Sequence, residues 1–135
     1  LDLNLIDAYN SELYKVEWHI KKHAKQHHGA DFNLLKTISG VGDILALTIL
    51  YEVGDIHRFE SVQKFASYAR LIKCKAESAG KVYGTQGNKI GNAHLKWAFS
   101  EAAVLYLRNN ELGKQYIAKL EKRMPKSKAL SALAN

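Results

Sequence analysis

A chain of 135 residues with one cysteine, 47% apolar residues and a net charge of +7 is sized for a single domain with a real core, and is neither disordered in composition nor a disulfide scaffold. No run approaches the ~18 apolar residues of a membrane span and no signal-peptide pattern opens the chain; the single cysteine, Cys74, suits a reducing cytoplasm, the expected setting. The charge is uneven: residues 70–96 hold six Lys/Arg against one acid, residues 114–128 another six against one, and the rest is faintly acidic, a pattern that fits a polyanion such as DNA; no membrane partner is expected, because neither basic segment is paired with a broad apolar face.

Residues 1–28 lack Gly and Pro and read as one helix. Ile6, Tyr9, Leu13, Val16 and Ile20 recur in steps of three and four, continued by His23 and His27, the a/d spacing of a heptad. Two readings fit: the end of a coiled coil, or an amphipathic helix packed on its own domain. The pattern is already under way at Leu1, which implies more helix upstream in a longer parent. His19, His23 and His27 share one face, but without HExxH or a nearby carboxylate ligand a polar helix end is expected rather than a metal site. Gly29 suits a C-cap. The expected division is an N-terminal helical arm over 1–29 and one domain over 30–135.

Asp31 is placed to N-cap a short helix carrying Leu34, Leu35 and Ile38, and Asp43 to cap a second with Leu45, Ala46, Ile49, Leu50 and Val53 turned inward, ending at Gly54. Between them stands Gly40-Val41-Gly42. An apolar residue, Gly-apolar-Gly and a small residue (Ala46) at the crossing resemble a helix-hairpin-helix. Its amides, with the following helix N-terminus, suit a phosphate, although Asp43 repels one. The alternative is a tight turn between helices with no ligand.

Phe59 then anchors a third short helix, Ser61–Leu71, capped by Ser61, with Phe65, Ala66 and Ala69 buried and Val62 beside them. A long Gly/Lys-rich loop follows, holding Gly80, Gly84, Gly87 and Gly91 among Arg70, Lys73, Lys75, Lys81, Lys89 and Lys96. Glycines allow close backbone approach, and a loop this basic suits anions. A brief β-hairpin within 76–87 is compatible with the sequence but not required by it. Asn92 caps a strong helix to about Asn110, with Leu95, Phe99, Ala102, Ala103, Tyr106 and Leu107 at helical spacing. Residues 113–123 form another amphipathic helix that stops before Pro125, and 127–134 a last one. The expected fold class is all-α: a helix-hairpin-helix-containing domain with a long N-terminal, coiled-coil-like helix and a Gly/Lys-rich loop.

Leu35–Ile38, Gly40-Val-Gly42, Ile56–Phe59, Tyr68-Ala-Arg-Leu71, Glu77-Ser-Ala-Gly-Lys81 and Gly87–Lys96 together resemble the C-terminal domain of the insertion-sequence "one-ten" transposases, which include the Piv-type DNA invertases. The resemblance runs from about Leu34 to Leu107. It implies DNA strand cleavage and exchange through a covalent serine–DNA intermediate, with Ser78 the nucleophile by position. It also implies a separate N-terminal RNase H-like domain with an acidic, Mg²⁺-binding tetrad, a joining coiled coil, a bridge RNA as guide, and homo-oligomers through the N-terminal helix. Here Ala79 stands between the serine and the glycine that often follows it directly in the family.

A serine hydroxyl needs a base and a cationic setting to attack a phosphodiester. Lys81, Lys89, Lys96, Lys75 and Arg70 offer the second; neither the adjacent Glu77 nor His94 is a convincing base. The missing base fits a composite active site, so no cofactor is expected on this chain and the fragment alone is expected to be inactive. The nucleic-acid contacts expected are Gly40, Val41, Gly42, Arg70, Lys73, Lys75, Gly80, Lys81, Lys89, Asn92 and Lys96. The competing class is a non-catalytic helix-hairpin-helix module that grips nucleic-acid backbone.

Overall fold

The computed structural model describes residues 2–87 and 90–135, and only the backbone of residues 74–77, 82 and 85–87. Leu1 and Lys89, and the side chains of Lys75 and Glu77, therefore lie outside the described residues. In chain order the elements are α1 (Asp2–His27), α2 (Gly29–Lys36), α3 (Asp43–Val53), a 3₁₀ turn (Ile56–Arg58), α4 (Val62–Tyr68), β1 (Lys73–Ser78), β2 (Lys81–Gly87), α5 (Ala93–Arg108), α6 (Glu111–Glu121) and α7 (Lys126–Leu133). The domain is mostly helical, as expected, and the basic loop is the exception: it folds as an antiparallel hairpin.

The core lies between α3 and α5. Leu45, Ala46, Ile49, Leu50 and Val53 are buried against Leu95, Ala98 and Ala102, with Phe32 from α2 and Ala24 from α1 closing one side. Gly40 makes the close approach feasible. Its φ is +92°, and a Cβ there would stand 2.6 Å from both the Ala102 carbonyl oxygen and the Tyr106 nitrogen. Only glycine serves both demands, a left-handed backbone and a missing side chain.

Several helix ends differ from the sequence reading. Gly29 opens α2 instead of closing α1, because His28 takes the N-cap position and leaves Asp31 in the first turn. Gly42 is the N-cap of α3, which places Asp43 in its first turn. Ser61 caps α4 as expected, accepting from the Lys64 amide. That helix closes at Tyr68, short of Leu71, because Arg70 adopts a left-handed φ of 55° and the Leu71 amide turns back to the Ala66 carbonyl. Val62 is exposed, not part of the buried side. Asn110 caps α6 through the Gly113 amide, so that helix begins earlier than its apolar pattern does.

Along α1 the heptad residues Ile6, Tyr9, Leu13, Val16 and Ile20 are all exposed, and Ala24 is the buried one. The arm therefore meets the body only near its C-terminal end. His23 Nδ1 lies 3.3 Å from the Tyr51 hydroxyl, and its ring stacks on that of His27 with centroids 4.3 Å apart.

The same end of the arm is tied down by charge. The Asp43 carboxylate pairs with Lys21 of α1 and with Lys36 of α2, the latter at 2.5 Å, so one side chain joins three helices. These two ammonium groups, Lys21 first, hold its pKa at about 2 against an ordinary 3.8. A carboxylate whose folded pKa is depressed stabilises the fold above its unfolded pKa and loses that contribution as pH falls through the folded one. Asp43→Asn should cost about 1 kcal/mol at neutral pH, the pair being partly open to water. Urea unfolding of the wild type should weaken relative to the variant between about pH 4 and pH 2, and parallel pH profiles would contradict the assignment.

Candidate catalytic hairpin and nucleic-acid interface

The strands β1 and β2 pair in the register Lys73↔Gly87, Cys74↔Gln86, Lys75↔Thr85, Ala76↔Gly84, Glu77↔Val82 and Ser78↔Lys81. The two residues joining them, Ala79 and Gly80, have φ of 50° and 75°. Positive φ at both central positions is what the twist-matched two-residue hairpin turn requires. Gly80 adopts it freely, whereas Ala79 is strained by about 1 kcal/mol. The register skips Tyr83 between Ala76 and Glu77, making it the extra residue of a β-bulge, and its side chain is 70% exposed.

This geometry places Ser78, Gly80 and Lys81 together at the tip. Ser78 and Lys81 are both exposed, and as directly paired residues their side chains leave the same face of the ribbon. Lys73, five residues back along β1, falls on the opposite face by the alternation of a strand. Lys75 and Lys89, also expected here, lie outside what is described. The strands contact each other far more than they contact any helix, so the tip stands away from the body.

The hairpin's root joins three helices and the two segments that lead into and out of the ribbon. The Asn92 side-chain oxygen accepts from the Leu95 amide at 2.9 Å, capping α5. Its Nδ2 donates to Glu52 of α3 at 2.5 Å and approaches the Tyr68 hydroxyl of α4 at 3.5 Å. The Asn92 amide donates to the Tyr68 carbonyl at 2.7 Å. Gly91, with φ +115°, passes so close that a Cβ would lie 2.4 Å from that carbonyl oxygen. Arg70 Nε donates to the Gly91 carbonyl at 2.9 Å. The chain thus leaves for β1 and returns from β2 at one pinned junction. The hydrogen bond from Asn92, with the Arg58 guanidinium nearby, holds the Tyr68 phenol below its ordinary pKa.

Of the remaining expected contacts, Lys96 is exposed in the first turn of α5, at the hairpin's end of that helix. Gly40, Val41 and Gly42 sit elsewhere. Gly40 packs on Ala102 and Tyr106, about 15 Å along α5 from Asn92 at 1.5 Å per residue. Val41 is buried, and the helix end that Gly42 opens already carries the Asp43 carboxylate. Gly40 and Val41 thus serve packing, Gly42 stays exposed, and the turn stands apart from Ser78. Glu52, Tyr68 and Arg58 were not among the expected site residues. Tyr68 and Arg58 belong to the segments that carry the family resemblance, but Glu52 reads as an ordinary helix glutamate until the fold brings it to Asn92, forty positions away.

Comparison with known proteins bears on the chain's family. The family model described as Transposase IS116/IS110/IS902 family matches residues 32–118, from α2 into α6. The chain is 29% identical over 109 residues to the transposase for insertion sequence element IS1111A of Coxiella burnetii, covering 78% of this chain and 30% of that protein. It is 30% identical over 87 residues to the putative transposase y4qE of Sinorhizobium fredii, covering 64% of this chain and 22% of that one. The chain spans less than a third of the length of these curated relatives.

Asn92→Ala removes the cap and strips Glu52 of its donor, and should cost about 2 kcal/mol in urea unfolding. Asn92→Ser, which restores the cap alone, should recover roughly half. A loss below about 0.5 kcal/mol for the alanine variant would show that the junction is not a structural tie.

Proposed function

The chain belongs to the IS116/IS110/IS902 transposase family, and on that premise we propose that it is the part of such an enzyme that holds DNA and supplies the attacking serine. The observation that carries this reading is the exposed Ser78 at the tip of a basic hairpin, paired with Lys81 and standing on a fixed root. In the proposed step the Ser78 Oγ attacks a phosphodiester phosphorus. An Oγ–P bond forms, a sugar oxygen leaves, and the serine's proton passes to a base while the leaving oxygen gains one. Lys81 offsets the growing charge on the non-bridging oxygens. Arg70, Lys73 and Lys96 hold the strand's phosphates, contacts that position nucleic acid without reading its sequence.

Among the described residues no group of three or more His, Cys, Asp or Glu is gathered that could hold a metal ion. Mg²⁺ is proposed to act from a separate acidic domain of the full-length protein, where it would supply Lewis-acid activation. A guide RNA is proposed as a further partner of that protein. The exposed apolar stripe of α1 is proposed to pair with a second copy as a short coiled coil, burying Ile6, Leu13 and Ile20. No helix among the described residues is long and apolar enough to cross a membrane.

In the full-length protein Ser78→Ala should retain DNA affinity within about twofold, an effect below 0.5 kcal/mol, while abolishing the DNA–protein adduct seen on denaturing gels. The 135-residue chain alone should bind DNA with affinity that falls steeply with salt and should not cleave it. An adduct that survives Ser78→Ala would remove the serine from the chemistry and leave the alternative, a binding module without catalysis.

A further inference from the structure

Arg58 is a cation held in place by rings. Its guanidinium carbon lies 4.7 Å from the centroids of both Phe59 and Tyr68, close enough for cation–π attraction to fix the side chain. The rings are themselves braced: Phe59 meets Phe65 edge-on at 5.3 Å and Tyr68 at 5.3 Å, and Phe65 meets Phe99 of α5 at 6.0 Å. A row of aromatics thus runs from the helical core to one exposed guanidinium.

Among the described residues this charge has no carboxylate partner. Lys15 pairs with Glu12, Lys21 and Lys36 with Asp43, and Lys114 with Glu111, but Arg58 makes no such pair. Of the two acids flanking it, Glu60 forms no ion pair with it and Asp55 instead accepts from the His57 amide at 2.8 Å, closing the 3₁₀ turn. An exposed arginine held by stacking and by the Tyr68 hydroxyl, with no counter-ion among the described residues, keeps further N–H donors that match the oxygens of a phosphate.

Its place in the fold selects the ligand. Tyr68, under Arg58, is the residue whose carbonyl receives the Asn92 amide and abuts Gly91 at the root of the hairpin. We propose that Arg58 is a phosphate contact for a nucleic-acid strand, registering that strand against the root of the Ser78 hairpin. This rests on the nucleic-acid-binding reading above and adds a residue from outside the basic segments. The ligand is a backbone phosphodiester and not a base, because the rings already occupy the guanidinium face on which a base would stack.

The test uses the 135-residue chain, a fluorescein-labelled mixed-sequence DNA duplex, and anisotropy titrations over a salt series. Arg58→Gln keeps a planar group on the rings and removes the charge. It should weaken binding roughly tenfold and lower the log–log salt slope by about one phosphate contact. Arg58→Lys should keep the slope and lose several-fold in affinity, since an ammonium neither stacks nor forks. Lys15→Gln, which removes the same charge far out on α1, should leave the slope unchanged. Circular dichroism and thermal melting check folding; should Arg58→Gln not fold, Arg58→Lys decides, and wild-type affinity there overturns the proposal. Wild-type affinity and slope in Arg58→Gln, with Lys81→Ala still weakening binding, would overturn Arg58 alone. Equal losses in Arg58→Gln and Lys15→Gln would reduce its role to net charge and overturn it too. Absence of salt-dependent binding by the wild type would overturn this inference together with the reading it rests on.

Discussion

The proposed catalytic hairpin hangs from one asparagine. Asn92 caps α5, donates to Glu52 on α3, and sends its amide to the Tyr68 carbonyl at the end of α4. A two-stranded ribbon is marginal by itself in water, and this one makes few contacts with the helices. Its direction is therefore set where its two ends leave the body. At that point Gly91 permits the backbones to touch, Arg70 takes a left-handed turn, and its guanidinium closes the gap to the Gly91 carbonyl. A nucleophile on an unanchored hairpin would sample many positions. One on a pinned root can be presented to a scissile bond held by the rest of an assembly, which is the entropic part of catalysis.

Charge divides the surface into tied and untied parts. Asp43 is held ionised by Lys21 and Lys36, and the three lock the C-terminal end of α1 to α2 and α3. Those two lysines belong to the scaffold and offer little to a polyanion. Lys73, Lys81, Lys96 and Arg58 are exposed and free of carboxylate partners among the described residues, and they lie on or beside the hairpin. The glycine turn before α3 looked like a second phosphate site by its composition. The fold packs its Gly40 on α5, where a side chain would collide with the Ala102 carbonyl and the Tyr106 amide.

The helical frame was legible because its signals are local. Ser61 and Asn92 cap the helices they precede, Gly54 ends α3, and the apolar spacing of α3 names its buried face. The hairpin was not, for equally local reasons. Its turn is Ala79-Gly80, not Asn-Gly or Asp-Gly, and Lys73–Ser78 lacks the β-branched and aromatic residues that mark a strand. Glycine in Gly40-Val41-Gly42 signals close approach in either case, whether to a phosphate or to a neighbouring helix, and only tertiary structure decides which. Ser78 was singled out by resemblance alone; its exposed place opposite Lys81 comes from the register. Glu52 carried no signal at all, because its partner is distant in sequence.

The central claim is that one hydroxyl, at the tip of this ribbon, becomes bonded to DNA. The direct measurement is mass spectrometry of the full-length protein trapped on its DNA substrate, then digested with trypsin and nuclease. Cleavage after Lys75 and Lys81 releases residues 76–81, Ala-Glu-Ser-Ala-Gly-Lys. The account predicts that this peptide carries the nucleotide remnant on Ser78. A remnant on any other residue, with residues 76–81 recovered unmodified, would contradict it.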